Sequence, residues 1–136
     1  MAEPCAPTIL VVDDDEAVTR TFAEALRLEG YDVRTAASAQ MGLREAHNKH
    51  ADAIILDLRM PLINGLGFLY RLRSQDEYRD TPVAIVTGDF GIDDDVLTDV
   101  RALGAQLLFK PVWLEDLLEL TRTLLGDTHR TNRSTH

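Results

Sequence analysis

The chain has 136 residues, enough for one compact domain with little to spare. A composition of 45% hydrophobic and 27% charged residues, with 8 Gly and 5 Pro, allows a real core and excludes disordered, collagen-like and disulfide-stapled classes. With 14 basic against 23 acidic side chains the net charge is −9, so attraction to a phosphate backbone is weak and no direct DNA binding is expected.

Residues 1–7 form a tail in which Cys5 stands between Pro4 and Pro7. As the only cysteine it has no partner within the chain, which suits a reducing compartment. The N-terminus lacks the basic and apolar regions of a secretion signal, and no apolar run reaches membrane-spanning length. A cytoplasmic protein without membrane contact is therefore expected.

Thr8 to Val12 is a β-branched run apolar on both faces, as a central parallel strand is. It ends in Asp13-Asp14-Asp15-Glu16. Val18, Phe22, Ala25 and Leu26 then recur at helical spacing until Gly30 stops the pattern. Tyr31 to Ala36 is a second strand, and Ser38 is the N-cap of a helix that turns Leu43 and Ala46 inward. Ala53 to Leu56 is a third strand ending at Asp57, and Leu66, Leu69 and Leu72 mark a helix after an Asn64-Gly65 turn. Val83 to Val86 is a fourth strand ending at Thr87, followed by a helix through Val96, Leu97, Val100 and Leu103 that Gly104 closes. Gln106 to Phe109 is a fifth strand ending at Lys110, and Leu114, Leu117, Leu118, Leu124 and Leu125 form a last amphipathic helix. Strands alternating with helices predict an α/β fold, a five-stranded parallel sheet flanked by five helices. The domain is expected over 8–125, with 126–136 as a flexible tail and no output module after it.

In an open parallel sheet, reactive groups collect at the carboxyl ends of the strands. Here those ends carry Asp13, Asp14, Asp57, Thr87 and Lys110. A single Asp after a strand is ordinarily a turn former or a cap, but four strand ends agreeing in polarity point to a site. Three carboxylates around one point repel by roughly 4 kcal/mol per pair at an effective dielectric near 20, so the cluster favours a cation. Hard oxygen donors without a His/Cys set suit Mg²⁺ better than Zn²⁺. With a divalent ion and a protonated Lys110 the formal charge of three carboxylates sums to zero. Phosphorylating one of them makes the site about one unit more negative and adds acceptor oxygens that the metal, Lys110 and the Thr87 hydroxyl can meet. Asp57, alone at the end of the central apolar strand, is the best nucleophile, and the adjacent Asp13 and Asp14 suit metal binding.

Val11-Val12-Asp13-Asp14-Asp15, Leu56-Asp57-Leu58-Arg59-Met60-Pro61 with Asn64-Gly65, Val86-Thr87-Gly88 and Phe109-Lys110-Pro111 together resemble the signature of bacterial two-component response-regulator receiver domains, over roughly residues 8 to 125. The resemblance implies a flavodoxin-like receiver fold with strand order 2-1-3-4-5, like that of single-domain chemotaxis regulators. It implies Asp57 as phosphoacceptor and also a Mg²⁺ ligand, Asp14 as a direct Mg²⁺ ligand, Asp13 as an acidic ligand acting largely through water, and the backbone carbonyl of Arg59 as a further ligand. Thr87 would be the switch hydroxyl, Lys110 the phosphoryl-binding cation, Lys110-Pro111 a cis peptide, and Gly88 a small residue leaving the entry path open. The expected function is a stand-alone signalling switch rather than an enzyme, phosphorylated on Asp57 by a sensor histidine kinase or phosphotransfer protein. A downstream protein partner would read a surface of the fourth helix, fifth strand and fifth helix. Family members usually carry Tyr or Phe three residues before the Lys, where this chain has Leu107.

Two other functions fit parts of the pattern: a phosphorylation-independent adaptor, and a haloacid-dehalogenase-type phosphatase using Asp13 with Asp15 two residues on. Arg59 and Asp89, of opposite charge, each stand two residues beyond a site residue, Asp57 and Thr87 respectively, where they either meet over the mouth of the site and shield an aspartyl phosphate from water or stand as two solvated side chains. His47 and His50 have the character of surface histidines. Asp93-Asp94-Asp95 favours the positive end of a helix dipole, and Trp113 is expected to pack under the last helix, the alternative being a place on the partner surface of the fourth helix, fifth strand and fifth helix.

Overall fold

The computed structural model of the chain describes residues 6–58, 62–88, 93–110 and 112–133, and within them the side chains of all but 57–58, 62–64 and 127–133. The elements follow in chain order as β1 (Thr8–Asp13), α1 (Glu16–Leu28), β2 (Asp32–Ala36), α2 (Ala39–Asn48), β3 (Ala53–Leu58), α3 (Leu62–Arg73), a short 3-10 turn (Asp76–Tyr78), β4 (Val83–Thr87), α4 (Asp94–Ala102), β5 (Ala105–Phe109) and α5 (Leu114–Arg133). The strands pair in parallel in the order β2-β1-β3-β4-β5, as the sequence patterns and the family resemblance lead one to expect.

Side chains alternate across a strand, so each central strand feeds two cores. Leu10, Val12, Ile54, Leu56 and Ile85 pack on one face with Ala46, Leu69, Leu72 and Val100 of α2, α3 and α4. Ile9, Val11, Ile55 and Val86 pack on the other with Phe22, Leu26, Leu117 and Leu124 of α1 and α5. Continuous burial of β1 and β4 is the physical content of their unbroken apolar runs.

The helix ends are set locally. The Asp15 carboxylate caps α1 by accepting from the amides of Ala17 and Val18, and the Ser38 hydroxyl caps α2 by accepting from Met41. Gly30 and Gly104 follow α1 and α4 at φ of 96° and 76°, the left-handed region that an L side chain resists.

Two sequence expectations differ from the structure. α3 begins at Leu62, so Asn64-Gly65 lies in its first turn and not before it. The apolar spacing that ends at Leu72 extends back through Leu66, and packing of that stripe outweighs the turn preference of the pair. α5 runs from Leu114 to Arg133. Trp113 does not pack under α5: it is 68% exposed, since Leu117, Leu120 and Leu124 already fill that side of the sheet. Among the described residues no helix is long and apolar enough to cross a membrane.

Candidate functional site

Register alone brings the site together at the carboxyl edge of the sheet. Asp13, the last residue of β1, is the direct partner of Asp57 on β3. Thr87, the last residue of β4, pairs with Leu58 on one side and with Phe109 on the other. Lys110 follows Phe109 immediately, and its amide donates to the Thr87 carbonyl at 2.8 Å. Asp13, Asp14, Thr87 and Lys110 thus converge on the edge that holds position 57.

Asp13 is buried, and its Oδ1 accepts from the Asp15 amide at 2.9 Å. Asp14 next to it is exposed. Thr87 is buried and Gly88 exposed, so the chain surfaces directly after the hydroxyl. A Cβ added at Gly88 would stand 3.8 Å from Lys110 Cδ, which puts the aliphatic stem of the lysine beside the Gly88 backbone. A half-exposed lysine with its stem beside Gly88 can bring its ammonium to an edge ligand while staying hydrated.

The donor chemistry available is that of hard oxygen. Among the described residues no three His, Cys, Asp or Glu side chains form a metal cluster, and Asp13 and Asp14 are the carboxylates that end β1 at this edge. The Asp57 side chain, the Arg59 carbonyl and the Lys110–Pro111 peptide lie outside the described residues, as do Cys5 and the Arg59–Asp89 pair. His47 and His50 belong to the opposite, amino edge, where the His50 ring stacks on Tyr78 at 5.2 Å and meets Glu77 at 2.8 Å. Two adjacent carboxylates with no imidazole beside them fit Mg²⁺ and do not fit Zn²⁺.

Asp15 has a structural task. Its carboxylate caps α1 by accepting from the Ala17 and Val18 amides. On β5, Leu107 faces Ile85 and packs with the core under α2, α3 and α4, whereas Phe109 stands opposite Thr87 and is 42% exposed. The β5 aromatic nearest Thr87 is therefore Phe109, two positions beyond the expected one. Thr19 was missed altogether. It is a buried hydroxyl on the stripe of Phe22, Ala23 and Leu26, and the one signal for it is a polar residue at a core position of α1.

A model of the response regulator receiver domain matches residues 9–122. The transcriptional regulatory protein PrrA of Mycobacterium tuberculosis is 36% identical over 120 residues, covering 88% of this chain and 50% of PrrA. The DNA-binding dual master transcriptional regulator RpaA of Synechocystis is 33% identical over 124 residues, covering 91% of this chain and 51% of RpaA. Among solved structures, the chemotaxis protein CheY4 of Vibrio cholerae superposes with a TM-score of 0.78 at 30% identity, covering 89% of this chain and 100% of CheY4. A CheY-like receiver domain protein of Methanospirillum hungatei superposes with a TM-score of 0.81 at 28% identity, covering 93% of this chain and 98% of its own.

These relatives correct the partner expectation drawn from charge. PrrA and RpaA are regulators of transcription, RpaA a DNA-binding one, and the chain spans about half the length of each. A net charge of −9 describes these 136 residues alone and says nothing of DNA contacts made elsewhere in a longer regulator. The exclusion of DNA as a partner is withdrawn.

Proposed function

Because the chain belongs to the response regulator receiver domain family, we propose that it is a phosphoacceptor switch in which Asp57 takes the phosphoryl group. Receiver domains of two-component systems are generally phosphorylated on an aspartate, bind Mg²⁺ at that site, and act as switches rather than as enzymes in the usual sense. The observation that supports the reading most is the register pairing of Asp13 with Asp57, with Thr87 and Lys110 on the neighbouring strand ends.

In this reading an Asp57 carboxylate oxygen attacks the phosphorus of a histidine kinase phosphohistidine. The new P–O bond forms as the P–N bond breaks, and the imidazole leaves and takes up a proton. Asp13 and Asp14 would hold Mg²⁺, and the ion when bound would offset the negative charge of the phosphoryl oxygens. Lys110 pairs with one of those oxygens and the Thr87 hydroxyl donates to another. Transfer of this kind asks a protein mainly for alignment and charge compensation. The added charge then favours whichever backbone arrangement lets Thr87 and Lys110 reach the phosphoryl oxygens, and that arrangement is the signal. Hydrolysis by water at phosphorus returns the carboxylate and inorganic phosphate.

Intact-mass measurement after incubation with acetyl phosphate and Mg²⁺ tests this. The wild-type chain is expected to gain one phosphoryl group, and Asp57→Asn or an excess of chelator to prevent it. A wild-type chain that gains none, or an Asp57→Asn variant that gains as much, overturns the reading.

A further inference from the structure

A buried hydroxyl of α1, that of Thr19, reaches the acidic turn after β1. Thr19 Oγ1 lies 2.9 Å from the Asp15 carbonyl and 3.3 Å from the Asp13 carbonyl. The first contact is ordinary, since a helical threonine commonly bonds the carbonyl four residues back. The second reaches six residues back, out of the helix and into the end of β1. Those two carbonyls belong to the residues on either side of Asp14, so one hydroxyl proton is shared between the Asp13–Asp14 peptide that adjoins it and the Asp15–Glu16 peptide one residue further on. The Thr19 amide also donates to the Asp15 carbonyl at 2.9 Å, and the Asp15 amide donates back to Asp13 Oδ1 at 2.9 Å. Thr19 is buried among Phe22, Ala23 and Leu26, so its position is fixed by packing and the turn is fixed in its turn by Thr19.

We propose that Thr19 is a positioning residue for metal binding: its hydroxyl sets the backbone from which the Asp13 and Asp14 carboxylates project, and so sets their affinity for Mg²⁺. The inference rests on the phosphoacceptor reading of this edge. Its chemistry is that of an outer residue orienting ligands, whose removal weakens metal affinity by roughly 10- to 100-fold in known sites. Val has nearly the same shape as Thr but no hydroxyl, and Ser restores the hydroxyl without the methyl group.

The test is Mg²⁺ titration by calorimetry of the full chain as wild type, Asp14→Asn, Thr19→Val, Thr19→Ala and Thr19→Ser, with thermal unfolding in chelator measured alongside. Asp14→Asn is expected to abolish binding. Thr19→Val and Thr19→Ala are expected to raise the Kd about tenfold, and Thr19→Ser to return it close to the wild-type value. The Kd is expected to follow the hydroxyl across all three Thr19 variants, whatever their individual unfolding temperatures. A purely structural role gives the opposite pattern, with stability changing and Mg²⁺ affinity not. If the wild type binds Mg²⁺ and Thr19→Val or Thr19→Ala binds it as tightly, the positioning role is overturned and the site reading stands. If the wild type binds none, the site reading itself falls.

Discussion

The Lys110 amide donates to the Thr87 carbonyl at 2.8 Å, so the hydroxyl residue that ends β4 and the ammonium that follows β5 are tied through the main chain. Either side chain can then be changed without releasing the other from the edge of the sheet. Lys110→Gln removes the positive charge and keeps this amide bond. Phosphorylation of Asp57 by acetyl phosphate is expected to slow about a hundredfold, the order found when one preorganised donor to a developing anion is lost. The thermal midpoint is expected to stay near that of the wild type. Rates followed by intact mass check this, and an unchanged rate would remove Lys110 from the phosphoryl site.

Tyr78 ties the amino edge together. Its buried hydroxyl donates to the Ala46 carbonyl at 2.5 Å and accepts from the Ala51 amide at 3.0 Å, joining α2 to the segment that enters β3. Tyr78→Phe leaves both backbone groups without that partner and is expected to lower stability by about 1–3 kcal/mol at neutral pH. Burial pushes the phenol above its ordinary value of 10.0, with Glu77 and Asp52 adding to the rise and the Ala51 amide opposing it. A raised folded-state pKa means that the neutral phenol's contribution is complete below the unfolded value and is lost as pH climbs through the folded one. Denaturant unfolding between neutral pH and the alkaline range should show a steeper decline for the wild type than for Tyr78→Phe. Parallel curves would contradict it.

Much of this molecule was legible in the sequence because its central strands are buried on both faces. Thr8 to Val12, Ala53 to Leu56 and Val83 to Val86 stand out as unbroken apolar runs, and the polar residue ending each run marks the carboxyl edge. What escaped depends on neighbours. The turn preference of Asn64-Gly65 is local and yields to the stripe that seats α3. The exposure of Trp113 depends on whether Leu117, Leu120 and Leu124 leave it room. Thr19 looked like an ordinary helix residue until the fold set it against the Asp13 carbonyl. Charge misled for another reason, since the net charge of these 136 residues does not decide what their longer relatives contact.

Gly42 is a helical glycine whose replacement by alanine should destabilise, against the usual helix preference. A Cβ there would lie 2.8 Å from Val12 Cγ2 and 3.2 Å from Phe68 Cε1, both in buried side chains of the core between α2, β1 and α3. Alanine favours a helix by about 1 kcal/mol over glycine, whereas forcing a methyl group into a filled core costs about 1–3 kcal/mol. The net expectation for Gly42→Ala is a lower thermal midpoint. At Gly67, with nothing within 4 Å of the added Cβ, the same substitution in α3 should raise it. The two midpoints measured side by side separate packing from propensity, and a stabilised Gly42→Ala would show that α2 can move off β1 at little cost.

Arg73, the last residue of α3, holds the far end of α4. Its Nε donates to the Leu103 carbonyl at 2.8 Å, and one terminal nitrogen donates to the Tyr78 and Thr81 carbonyls, both at 2.7 Å. Burial draws the guanidinium below its ordinary value, opposed by Asp80, which is the expected sign for a cation taken partly out of water. α4 has a single buried side chain, Val100, and its N-cap Asp93 makes no side-chain capping bond, so its C-terminal end is the better fastened one. Arg73→Lys retains the charge and loses the fork that reaches three carbonyls in two directions. Native-state hydrogen exchange should then speed up at Leu103 and Gly104, whose amides close the end of α4 on Asp99 and Arg101. The acceleration expected is about tenfold, equivalent to about 1.4 kcal/mol of local opening. Exchange in α1, which makes no contact with Arg73, should stay as it was. Equal acceleration in both helices would mean that Arg73 supports the whole domain and does not fasten α4 in particular.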